Sequence, residues 1–153
     1  MPTSPFIERV LPTYVVKVNS DGNETVGVGS VLHQAPLGTY TGWNVVATPT
    51  PGAPFPGQIC VNTGALYPFK ETAAERVAAA DPRPSLEERY GTHAGYVCAA
   101  TAAADKSVGQ RFLRSSAATT LIAQAQASYV LSDITPTPND QTLANSLCTA
   151  EAN

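Results

Sequence analysis

Charge is scarce in this chain. Only 14% of its 153 residues are Asp, Glu, Lys or Arg, and nine cations against twelve acids leave a formal net charge of −3. No basic stripe occurs, so the electrostatic footprint of a phosphate-backbone binder is missing and no nucleic acid is expected as a partner. No run of about 20 apolar residues is found, so no membrane span is expected. Met1 to Val10 holds two prolines and no apolar stretch of the kind a secretory signal carries, so it does not read as an export signal. Nothing in the residues names a compartment.

Metal-binding spacings are absent as well. Cys60, Cys98 and Cys148 form no C-x-x-C pair, and His33 and His93 form neither H-x-x-x-H nor H-E-x-x-H. Neither a metal site nor a cofactor is therefore expected. The cysteines leave two readings open: one disulfide with a third thiol left over, or buried and free thiols without a role. Asp21, Asn23 and Glu24 lack the distant glutamate of a calcium loop and read as a turn. A serine hydrolase of the strand–turn–helix type needs G-x-S-x-G. The nearest approach is Gly27-Val28-Gly29-Ser30, where Leu32 stands in place of the last glycine. The same stretch also lacks the third glycine of a dinucleotide-binding loop. No catalytic residue is assigned.

What the chain does have is a change of character near Lys70. Valine, threonine, glycine and proline dominate before it; alanine and glutamate dominate after it. The expected fold is α+β. It has a β/loop segment over 1–70, a helical segment of about three helices over 71–131, and a flexible tail over 132–153. Tyr14–Val18 and Thr25–Val28 are β-branched runs around Asp21-Gly22, which predicts a β-hairpin. Val31-Leu32 extends the second strand in this reading. Trp43–Ala47 and Ile59–Val61 are further short strands, and Thr48–Gly57, with four prolines and two glycines, is irregular. Glu71–Ala80 holds good helix formers and is stopped by Asp81-Pro82. Ser85 and Glu88 spell a capping box, and Gly91 ends that short helix. Thr92 caps a long helix in which Val97, Ala100, Ala104, Val108 and Phe112 make an apolar stripe. Ser115 or Ser116 opens a further helix with Ala118, Leu121, Ile122, Ala125 and Tyr129 on one face.

Four aromatics, Tyr40, Trp43, Tyr67 and Phe69, are the candidate pocket wall. Local core packing is the competing role. His33, at an expected strand end, is the one histidine kept as a functional candidate. His93 lies in the first turn of the long helix, where the positive pole disfavours an imidazolium, and a surface role suffices for it. Glu87 and Glu88 are adjacent on a helix and point apart, so they cannot share one substrate.

Several of these motifs, taken in order, resemble a known family. They are Val18–Glu24, Ala35–Asn44, Tyr67–Phe69, Ala74–Arg76, Asp81–Tyr90 and Gln110–Leu113. Together they are similar to the C-terminal region of the large bacterial proteins described as alpha/beta hydrolase domain-containing, over about Val10 to Leu131. The resemblance implies a docking segment of an α/β-hydrolase fold whose partner is the hydrolase core, on the same or a neighbouring polypeptide. The family's catalytic serine and histidine lie upstream of the matching region, and its histidine follows an Ala-Gly-Thr-Gln stretch that this chain lacks. No catalytic role is carried over, and the chain alone is expected to be inactive. Gly29–Pro36 departs from the family's Pro-x-Val-x-x-Pro pattern. An independent binding or interaction module without catalysis is the alternative.

Overall fold

The computed structural model describes residues 14–45, 59–60 and 63–151. Met1–Val10, Thr48–Gly57, the ends of two expected strands (Val46, Ala47 and Val61) and residues 152–153 lie outside them. The described residues are a mixture of helix and short strand. The order is α1 (Val31–Gln34), β1 (Gly38–Thr41), β2 (Asn44–Val45), β3 (Ile59–Cys60), β4 (Ala65–Pro68), α2 (Ala73–Ala78), α3 (Leu86–Tyr90), α4 (His93–Gly109), α5 (Ser115–Gln126) and α6 (Pro138–Glu151). Over 71–131, where about three helices were expected, the structure has four, α2 to α5; α1 and α6 lie outside that segment.

The Asp21-Gly22 turn forms as the sequence predicts. Asn19 Oδ1 accepts from the amides of Asp21 and Asn23, and Gly22 takes a φ of +79°. The hairpin around it is reduced to one antiparallel bridge, Val18 to Glu24. Its β-branched flanks stay exposed. Val31-Leu32 does not continue a strand; it begins α1. Ser30 is extended at the helix start, and Val31 and Ala35 place buried side chains one turn apart, facing α4. Pro36 prevents any continuation.

β1 pairs antiparallel with β4, with Gly38 opposite Pro68 and Tyr40 opposite Leu66. Gly38 admits no side chain, since a Cβ would lie 2.5 Å from the Tyr67 carbonyl oxygen. Asn23 takes the place of a neighbouring strand on the free edge of β1. Its amide donates to Gly38 O at 3.0 Å and its Oδ1 accepts from Tyr40 N at 2.8 Å. At 1% exposure, Asn23 has no water to replace these partners. β2 and β3 form a second two-residue ribbon.

The helices begin where local chemistry says they should. Thr72 with Glu75 and Ser85 with Glu88 form reciprocal capping boxes, and Thr92 accepts from Gly95 N. The first of these boxes is not among the sequence expectations. α5 starts one residue earlier than expected, with Arg114 at the cap and no side-chain hydrogen bond there. α4 is the hub, packing against α1, α3, α5 and α6. The core it shares is built mainly of alanine: Ala100, Ala103, Ala104, Ala118 and Ala125, closed by Tyr90, Tyr96 and Leu131. Small side chains let the helices approach closely but remove little area from water. Phe112 lies beyond the end of α4 and is 61% exposed, so the apolar stripe stops before it; Tyr129, past α5, is also exposed.

The segment after Asp133, expected to be a loose tail, carries α6 over Pro138–Glu151. It is joined to α4 by a disulfide between Cys98 and Cys148, which decides between the two readings of those cysteines. No helix among the described residues is long and apolar enough to cross a membrane.

Candidate functional site

The first turn of α1 sets Ser30 and His33 three residues apart. Ser30 Oγ lies 2.9 Å from His33 Nδ1. β1, running on the other side of the Ala35–Leu37 bend, brings Tyr40 beside the imidazole, with ring centroids 5.5 Å apart and planes tilted by 46°. The outgoing arm of the Asp21-Gly22 turn adds Glu24. His33, Tyr40 and Glu24, with Thr41 and Gly42, enclose an open pocket of about 220 Å³. Tyr40 is fixed from behind, its hydroxyl accepting from Leu37 N at 3.4 Å.

The four candidate aromatics are dispersed rather than gathered. Tyr40 faces the pocket. Trp43, 44% exposed, follows Gly42 at the end of β1. Tyr67 is opposite Thr39, so the alternation of the ribbon turns it away from Tyr40. Phe69 is buried, with the Arg89 guanidinium 4.0 Å from its centroid and that of Arg83 at 5.2 Å. Of the four, Phe69 has the packing role.

Both arginines are held by carboxylates. Arg83 forms an ion pair with Asp81 at 2.7 Å and also donates to Thr39 Oγ1, Tyr67 O and Pro68 O. Its donated hydrogen bonds hold the Asp81 carboxyl at about 2, well below the usual carboxylate range. Arg89 grips the buried Asp21 carboxylate with both terminal nitrogens. This pair ties the turn before Glu24 to α3. The sequence reading placed Asp21 in a turn and left Arg89 unassigned, because its partner is 68 residues away.

Tyr90 closes the support beneath the bend. Its hydroxyl donates to Pro36 O at 2.8 Å, and burial pushes its ionisation far above the usual phenol range. His93 is remote from the pocket. Its Nδ1 is 2.8 Å from Val130 O and its Nε2 3.3 Å from Gln126 O, so the ring joins the start of α4 to the end of α5. That makes it a structural post between the two helices.

Two further concavities meet at Val28, Gly29 and Phe112, of about 390 Å³ and 230 Å³. The larger is bordered by Gln34, Lys106 and Gln110, the smaller by Val31, Leu113 and Leu121. They place the Gly27–Ser30 stretch over the C-terminal end of α4.

Chemically, the Ser30–His33 contact differs from a hydrolytic dyad in two respects. A general base that activates serine uses Nε2 while a carboxylate steadies Nδ1. Here the serine occupies Nδ1, within a single helical turn. Among the described residues no carboxylate hydrogen-bonds to His33, although Glu24 borders the same pocket. The arrangement supplies a polar rim beside an aromatic ring. Ser30 and Glu24 were not singled out in the sequence for this place. The i, i+3 spacing of Ser30 and His33 carried a signal, but only if Val31-Leu32 is read as helix. The described residues hold no group of three or more metal-binding side chains.

A family model described as an alpha/beta hydrolase domain matches residues 1–123. Neither a curated protein nor a solved structure matches the chain.

Proposed function

Because the chain belongs to the alpha/beta hydrolase domain family, we propose that it is a C-terminal accessory segment of a serine-hydrolase-like protein, one that docks on the α/β core and does not carry the nucleophile. Tyr40 and Trp43 serve as the pocket wall in this role, and His33 is the polar group beside them. The observation that carries the proposal is the Ser30–His33 contact. Its 2.9 Å approach engages Nδ1 inside one turn of α1, a local contact in which no carboxylate among the described residues is hydrogen-bonded to the ring. Exposed Val26, Val28 and Phe112 support docking, since a chain with so few large apolar residues inside leaves these outside.

Hydrolysis of short acyl esters by the purified chain tests the proposal. The rate is expected to equal that of buffer alone for the wild type, for Ser30→Ala and for His33→Ala. Turnover above the uncatalysed rate contradicts it. Turnover that survives His33→Ala would place the chemistry at a site not described above.

A further inference from the structure

α6 lies close along α4 and α3, and one covalent bond joins it to α4. Its side-chain hydrogen bonds close on itself: Thr137 with Asp140 at the cap, Thr142 to Pro138 O, Ser146 to Leu143 O and Thr149 to Ser146 O. Among the described residues no ion pair reaches it from another element. Its contact with α3 and α4 brings backbone close to backbone, with the small Ala144 side chain between them. A Cβ on Gly91 would lie 2.1 Å from Asp140 O, and one on Gly95 would lie 3.0 Å from the Ala144 Cα. Ala144 is buried at 1% exposure, and Leu147 is half-buried at the core's edge. Alanine and half a leucine remove little apolar area from water. One turn further on, Cys148 is bonded to Cys98 of α4, closing a separation of 50 residues. Both cysteines are partly exposed, so a reductant can reach the bond. The family match ends at residue 123, before α6 begins.

We propose that α6 is a redox-releasable strap: the Cys98–Cys148 disulfide holds it over the glycine strip of Gly91 and Gly95, and a dithiol reductant frees it while the rest of the fold stays in place. This is independent of the accessory role proposed above. In the releasing step a thiolate of the dithiol attacks the Cys148 sulfur, the protein S–S bond breaks, and Cys98 departs as thiolate. The second thiol of the reductant then attacks the mixed disulfide, forming the reductant's own disulfide and expelling the Cys148 thiolate. Two electrons pass to the protein, and the two protons of the dithiol end on Cys98 and Cys148. With the bond gone, the close approach to α3 and α4, the buried Ala144 and the half-buried Leu147 are left to oppose the entropy of the freed segment.

Amide hydrogen exchange of the full chain, read by mass spectrometry before and after dithiothreitol, tests this. Peptides from 138–151 are expected to exchange faster by roughly tenfold or more on reduction. Those from α4, α5 and the β1–β4 ribbon are expected to hold their rates. Cys148→Ser is expected to show the fast pattern without reductant and no response to it. If that variant does not fold, the two states of the wild type still decide. Unchanged exchange in α6 after reduction overturns the proposal, because packing alone then holds the helix. Acceleration spread evenly over the chain overturns it too, because the disulfide is then a global staple. So does alkylation of both Cys98 and Cys148 in the protein before any reductant is added.

Discussion

At the residue scale, a few polar side chains carry contacts that the small core cannot. Asn23 is the clearest, since it satisfies both a carbonyl and an amide of β1 from a position closed to water. Asn23→Ala leaves both groups unpaired and is expected to destabilise the chain by roughly 2–3 kcal/mol; urea unfolding of the variant checks this. Asp81 makes a second prediction. Its folded pKa, held at about 2 by the Arg83 hydrogen bonds, lies below the value of about 3.9 for an unfolded aspartate. Its contribution is therefore complete above the unfolded pKa and lost as pH falls through the folded one. Glu88 is lowered as well, chiefly by the backbone N–H of Ser85, and adds in the same direction. Stability measured from about pH 5 down to about pH 2 should fall, and fall less steeply in Asp81→Asn. Equal slopes in the two proteins would show that Arg83 does not act through this carboxylate.

At the scale of elements, what could be read in advance was what neighbouring residues decide. The Ser85–Glu88 box, the Thr92 cap and the Gly91 stop are local, and the structure has all three. Ser85 is fully buried, and its hydroxyl also donates to Glu88. Ser85→Ala should therefore destabilise by about 1–2 kcal/mol; thermal unfolding of the variant checks this. The β1–β4 pairing was not legible, because its strands are tied by Arg83, which bonds Thr39 on one and the Tyr67 and Pro68 carbonyls on the other, rather than by a short turn. Val31-Leu32 reads as strand because it follows the Thr25–Val28 run, while Ser30 before it and Pro36 after it bound a single helical turn. The α6 segment reads as a tail because Thr-Pro-Thr-Pro leads into it and only Leu143, Ala144 and Leu147 form its narrow apolar face amid polar residues. The close approach of Gly91 to Asp140 predicts that Gly91→Ala displaces α6. The residue has a φ of +70°, and the added methyl meets the Asp140 carbonyl. Faster exchange in 138–151, with α4 unchanged, is the expected result. At the pocket, Tyr40 and His33 were visible as residue types, but that they face each other follows from the Ala35–Leu37 bend held by Tyr90.

At the scale of the whole molecule, interior and exterior are weighted unusually. Alanines fill the helix interfaces, and several of the larger apolar side chains remain outside. Phe112 belongs to the outside set, so Phe112→Ser should change stability by no more than about 0.5 kcal/mol. A larger loss in chemical unfolding would return this ring to the core. In the proposed role, the exposed apolar border is the surface that would meet a hydrolase core. The most direct measurement is covalent labelling of the purified chain with a fluorophosphonate, which modifies serines activated by a base and is read by intact mass. The account predicts no adduct. A single adduct on Ser30 that disappears in His33→Ala would contradict it, because the chain would then carry its own activated nucleophile.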